Sequence, residues 1–164
     1  MLAEWRPIRP FPGYSISDTG LARNDETGIV LRGQVNQRGV VNVGLTKNRV
    51  QYKRSIPLLV LSAFKPRPGE AFDCSINLDG DKLNNHVDNL AWRPKWFAIG
   101  YSQQFTDLRV NSNRMVEDID TGIVYDNAWH AAITHGLMFR DVVMSANNRT
   151  LVWPTHQRFR YINR

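Results

Sequence analysis

The chain has 164 residues, 42% of them hydrophobic and 22% charged, with a formal net charge of +6 and a pI near 9.8. That is enough for one substantial core or two to three small modules, while no stretch approaches the roughly 20 apolar residues that cross a bilayer; the longest, 56–64, is interrupted by Pro57 and Ser62. A single cysteine, Cys74, excludes an internal disulfide framework and a Cys-based zinc site, and with Glu4, Arg6, Arg9 and three prolines in the opening stretch a signal peptide is not expected; the reducing cytoplasm is.

The charge is unevenly spread. Residues 1–63 hold nine Lys/Arg against four Asp/Glu, 64–108 hold five against six, and 109–164 hold seven against five. Two basic ends around a slightly acidic middle favour a polyanionic partner through counterion release. The same surplus also suits a generic basic surface.

In chain order, the first third predicts short strands punctuated by turns. Tyr14-Ser15-Ile16-Ser17 alternates, Asp18-Thr19-Gly20 turns, Leu21-Ala22-Arg23 resumes, and Asp25-Glu26-Thr27-Gly28 turns into Ile29-Val30-Leu31. A further hairpin is expected from 40–45 and 50–53, giving a small antiparallel sheet. Its strands interleave Arg32, Gln34, Asn36, Arg38, Asn42, Lys47, Arg49, Gln51, Lys53 and Arg54 with apolar positions, and period-two alternation sends one set outward. The outward set fits a solvated face; it also fits a ribbon for the DNA major groove, where Gln, Asn and Arg read base edges.

Residues 58–64 predict a helix packed under the sheet. Residues 72–78 predict a strand, Asp79-Gly80-Asp81 a tight turn, 84–89 a polar loop bonding its own backbone, 90–92 a second strand, and Pro94 opens a helix to about Gln104. Residues 106–114 read as a linker. Residues 115–119 and 123–125 form a hairpin around Asp120-Thr121-Gly122. Asn127 caps a helix ended by Gly136, a second runs over 139–146, and 151–160 returns as a strand. Two short helices joined at a glycine suit a helix-turn-helix, although many helical hairpins bind nothing. Trp96, Phe97 and Tyr101 are expected in the core, with Trp153 and Phe159 pinning the last strand. His130 and His135, five residues apart, suit helix and cap positions rather than a metal pair, and His156 stands beside Arg158 and Arg160 as a phosphate-facing candidate.

Three signatures resemble the HNH homing endonucleases of the phage and intron-encoded type, over about nine-tenths of the chain. Glu4-Trp5-Arg6-Pro7-Ile8 with 12–23 is similar to the family's N-terminal nuclease-associated module. Residues 78–92, from Leu78-Asp79-Gly80-Asp81 through Asn84-Asn85 and Asn89-Leu90 to Trp92, are similar to its DG-x-K-x-NN-x-x-x-NL-x-W core, and 115–160 resembles its C-terminal helix-turn-helix module. The resemblance implies an α+β protein: a small antiparallel N-terminal sheet over 1–56, a central ββα unit of the HNH or His-Me finger type over 57–105, a linker over 106–114, and a C-terminal hairpin plus helix-turn-helix over 115–164. It also implies a chain laid along double-stranded DNA as a monomer, acting in an infected bacterial cell where a phage encodes it.

The chain departs from the family where cutting is done. The family pattern Asp-His-x-Asp-Gly, whose Asp binds a divalent cation and whose His is the general base, here reads Ile76-Asn77-Leu78-Asp79-Gly80; the second ligand falls at about Ala98, and Pro57-Leu58 replaces the usual His-Arg. Neither Ile76 nor Ala98 offers an oxygen to a hard cation, and Asn77 takes no proton from water at neutral pH. Asp79, Gly80, Asn84, Asn85, Asn89 and Trp92 remain, and turn and loop bonding explains them. The expectation is therefore a DNA-binding protein without nuclease activity, metal or cofactor. Arg32, Arg38, Lys47, Arg49, Lys53 and Arg54 would contact DNA from the sheet, Lys95 from the ββα helix, and Phe139, Arg140, Asp141 and 147–149, including Arg149, from the recognition helix. Met138 stands where a Ser or Thr cap is usual. Two alternatives stay open: a Mg- or Mn-dependent nickase with His86 as substitute base and Asp79, Asp81 or Asp88 as ligands, and an inhibitor that binds a host protein.

Overall fold

The structure, a computed structural model, describes residues 1–107 and 113–163. It forms two compact units, Met1–Lys95 and Trp96–Arg164.

In the first unit, β1 (Trp5–Pro7), β2 (Tyr14–Ser17) and β3 (Ala22–Asn24) form an antiparallel sheet with Trp5 opposite Ser17 and Tyr14 opposite Asn24. Gly20, at φ +89°, makes the β2–β3 turn, and an added Cβ there would meet the Asn85 side chain at 2.9 Å. A second antiparallel sheet is built from β4 (Gln34–Val35), β5 (Val41–Lys47) and β6 (Val50–Ser55). The β5–β6 hairpin closes over Asn48 and Arg49, both left-handed at φ 51° and 64°, the conformation a two-residue turn needs to match strand twist. Helix α1 (Ile56–Phe64) carries Pro57 in its first turn, where the missing N–H costs nothing. Hairpin β7 (Cys74–Asn77) and β8 (Leu90–Arg93) follows. Lys65 fastens that hairpin to α1, its Nζ donating to the Leu90 carbonyl at 2.7 Å while its own carbonyl accepts from Trp92 Nε1 at 3.1 Å. One core of Ile8, Phe11, Ile16, Val43, Leu45, Ile56, Val60, Leu61, Leu90 and Trp92 runs through these elements.

The second unit contains nearly all of α2 (Lys95–Asp107), a sheet ordered β10 (Val124–Tyr125), β9 (Val116–Asp118), β11 (Phe159–Tyr161), and helices α3 (Ala128–His135) and α4 (Phe139–Asn148). As the sequence predicts, Asn127 caps α3 by accepting from the His130 amide at 2.8 Å, and Gly136 ends it at φ 64°. The core is Val116, Tyr125, Ala128, Ala131, Ala132, Leu137, Val142, Ala146, Val152 and Phe159.

Several expectations need correction. The N-terminal strands make two small sheets rather than one. Ile29-Val30-Leu31 contributes only a single bridge, Val30 to Arg23, because Ile29 and Val30 are left exposed and have no core to alternate against. The expected strand over 151–160 is cut short: Val152 bridges Gln157 around an intervening turn, and only Phe159–Tyr161 pairs with β9. The expected linker begins inside α2, and 108–112 lie outside the described residues. Phe97 and Tyr101 are buried, but Trp96 is 66% exposed, its ring 5.2 Å from that of half-exposed Trp153.

Candidate nuclease centre and nucleic-acid interface

The turn after β7 is knotted by its own amides. Asp79 Oδ1 accepts from the Asp81 amide at 2.8 Å and from Asn89 Nδ2 at 2.9 Å, and Oδ2 accepts from Asn84 Nδ2 at 2.8 Å. Asn89 returns the contact by accepting from the Asp79 amide at 3.1 Å, and also donates to the Asn84 carbonyl. Burial pushes the Asp79 carboxyl upward, but these donors outweigh it and hold the pKa below the usual carboxylate value. Both oxygens of the one surviving motif carboxylate therefore accept hydrogen bonds from the loop itself.

Its neighbours are equally committed. Ile76 is buried at 4% exposure on β7. The Asn77 amide donates to the Asn84 carbonyl at 2.9 Å and to Asn85 Oδ1 at 3.3 Å, so it braces the loop. Asn85, itself buried, donates to the Lys82 carbonyl. Ala98 lies half-buried on α2. His86 Nδ1 accepts from the Asp88 amide at 3.1 Å, capping a single 3-10 turn, Val87–Asn89. The Asp88 carboxylate also lies 3.6 Å from the same Nδ1. Asp81 Oδ1 is spent on the Leu83 amide. Among the described residues no group of three His, Cys, Asp or Glu side chains could hold a metal ion.

The β4–β5–β6 sheet separates the predicted DNA-contact residues by face. Gln34 stands opposite Asn42, Gly44 opposite Lys53, and Thr46 opposite Gln51. Arg32, Gln34, Asn42, Gln51 and Lys53 line one shallow depression of about 240 Å³. The Gln51 side chain folds over Gly44, its Nε2 within 2.6 Å of where a Cβ would stand. Lys47 and Arg54 fall on the reverse face, where the Arg54 guanidinium stacks 5.1 Å over both Phe11 and Tyr52. Arg49 occupies the hairpin tip. Arg38 is exposed, its carbonyl accepting from Lys82 Nζ at 2.8 Å. None of these six cations has a carboxylate partner among the described residues.

In the second unit, Arg140, Met144, Asn147 and Asn148 share one exposed stripe of α4. Arg140 has a weak contact to Asp141, and Arg149 ends the helix at φ 57°. Lys95 is exposed at the start of α2. Arg158 and Arg160 pair with Asp120 and Glu117, so they are not spare cations beside His156. Sequence reasoning missed what replaces the α4 cap: buried Gln104 accepts from the Phe139 amide through Oε1 at 3.0 Å. It lies 35 residues away, so no local spacing reveals it.

No family model matches the chain. In fold the chain resembles an HNH homing endonuclease along nearly its whole length, and in sequence it is similar to an HNH endonuclease over more than half of it. It is 34% identical over 92 residues to an uncharacterized HNH endonuclease of Acanthamoeba polyphaga mimivirus, a match covering 56% of this chain and 27% of that protein. The match thus spans about a quarter of the curated relative. Among solved structures it resembles the HNH homing endonuclease I-HmuI, described for its DNA binding and cleavage, with a TM-score of 0.57 and 23% identity over 98% of this chain and 99% of that one.

Proposed function

We propose that the chain binds double-stranded DNA without cutting it, as a sequence-preferring regulator on a former nuclease scaffold. The observation that carries this reading is the knotted turn: Ile76 is in the core, Asn77 braces the loop, and both Asp79 oxygens accept hydrogen bonds. A general base contributes about 10²- to 10⁴-fold in rate, and a divalent ion stabilises the charge developing on phosphorus; the side chains at these positions supply neither. On the depressed face of the second sheet, Gln34, Asn42 and Gln51 suit base edges and Arg32 and Lys53 suit phosphates. Arg140, Asn147 and Asn148 on α4 do the same from a helix-turn-helix, with Arg38, Arg49, Lys95 and Arg149 as further phosphate contacts.

Selection of duplexes by the purified chain in EDTA tests the proposal. The expected outcome is enrichment of a sequence, a gel shift on it without metal, and no nicking of supercoiled plasmid with Mg²⁺ or Mn²⁺. Nicking abolished by His86→Ala would establish a rewired nuclease instead.

A further inference from the structure

A second concavity lies in the first unit, a groove of about 680 Å³ between the loop before β2, the β5–β6 hairpin and α1. Its volume is that of a ligand cleft, roughly 300–1,000 Å³. Phe11, Tyr52, Leu58 and Leu59 line it, with Lys47 and Arg54 at its rim. The rings of Phe11 and Tyr52 meet at 5.7 Å, and the Arg54 guanidinium rests over both, held further by one bond from Nη1 to the Lys53 carbonyl. Arg54 is thus set in place with most of its donors unspent, and no carboxylate among the described residues neutralises it or Lys47.

Strand alternation sends Tyr52 and Arg54 to one side of β6 and Gln51 and Lys53 to the other. The groove and the polar depression therefore cannot be covered by one straight duplex. Its composition also argues against nucleic acid, because α1 brings no cation to it, only Leu58, Leu59 and Ser62. An apolar floor with two unneutralised cations complements a segment that presents acidic side chains beside apolar ones.

We propose that this groove docks an acidic, apolar segment of a partner protein, with Arg54 and Lys47 receiving its carboxylates and Phe11, Tyr52, Leu58 and Leu59 its apolar side chains. The proposal stands apart from the DNA reading, since it concerns the opposite side of the sheet. A carboxylate held by Arg54 would gain a charge-assisted bond from a guanidinium already immobilised on two rings, which lowers the ordering cost of binding.

The test is amide NMR of the full chain titrated with a capped hexapeptide alternating Glu with Leu and Phe, and with its Gln counterpart. The expected result is shifts clustered at Phe11, Tyr52, Leu58 and Leu59, with about tenfold weaker binding for Arg54→Gln, the loss of one charge-assisted hydrogen bond, and a larger loss for the Gln peptide, which gives up its bonds to both Arg54 and Lys47. Ser62→Trp, at an exposed position, should block the peptide while leaving any gel shift on duplex DNA intact. The proposal is overturned by no shifts at millimolar peptide, by equal binding of the Gln peptide, or by duplex DNA shifting the groove residues and displacing the peptide. A failed gel shift with the peptide still bound would sink only the DNA reading.

Discussion

Asn89 holds the turn by three hydrogen bonds, two to Asp79 and one to the Asn84 carbonyl. At about 0.5–1.5 kcal/mol net for each, Asn89→Ala should cost about 2 kcal/mol in urea unfolding. Asn89→Asp should cost more at neutral pH, by setting a carboxylate against Asp79, and should recover part of the loss in acid. His135 makes a second residue-level prediction. Burial lowers its pKa, against an opposing pull from Asp118, and its Nε2 shares a 2.6 Å hydrogen bond with the Tyr125 hydroxyl, whose own pKa burial raises. The unfolded chain takes up this proton near pH 6.5, the native chain only at lower pH. Stability from this group is whole above pH 6.5 and is lost as pH falls below it, because there the unfolded state binds more protons. Denaturant titrations should show that slope, and His135→Gln should flatten it. The identities at 76, 77 and 98, on which the proposed loss of cutting rests, are read from the sequence alone. What Asn77 does instead is not, since its partners Asn84 and Asn85 are set by loop geometry rather than by spacing.

At the scale of elements, local chemistry was readable wherever it is local. Asn127 and Gly136 bracket α3 as residue type predicts, whereas α1 begins at Ile56, two residues ahead of the expected helix, with Pro57 in its first turn. The start of α4 at Phe139 stands where the sequence placed it, but its cap was not readable, because Gln104 supplies it from another helix. Nor was the division of 1–56 into two sheets, since β1 and β4 are only three and two residues long and carry too few positions for alternation to register. The β5–β6 turn holds a prediction: Arg49 sits at φ 64°, where a side chain costs roughly 1–2 kcal/mol, partly offset by the entropy glycine brings to the unfolded chain. Arg49→Gly should therefore stabilise the chain by about 0.5–1 kcal/mol in thermal or urea unfolding. If Arg49 touches phosphate, the same variant weakens DNA binding, so stability and affinity should move in opposite directions.

At the scale of the molecule, each unit has its own core and an unevenly charged surface. The N-terminal excess of basic residues seen in the sequence resolves into six cations without carboxylate partners, four of which, Arg32, Arg38, Arg49 and Lys53, are assigned to DNA together with Lys95, Arg140 and Arg149. Counterion release gives about −0.9 in the slope of log K against log salt for each phosphate neutralised. With all seven engaged, the slope should lie near about −6, and Lys53→Gln should make it shallower by about 1. A slope near zero would mean that the duplex is not the partner of this surface. Arg158 and Arg160 contribute to the same formal charge, yet Asp120 and Glu117 take them out of play, something composition does not disclose.

The tight turn at Asn48 and Arg49 also couples two surfaces of different chemistry. One residue inserted in β6 just after Val50 would slip every later position to the other side of the strand, trading Gln51 and Lys53 for Tyr52 and Arg54. The polar strip would turn greasy and the greasy cleft polar in a single step. Length in this hairpin is therefore under tighter constraint than any one of its side chains, and natural variants should tolerate substitutions here far more readily than insertions or deletions.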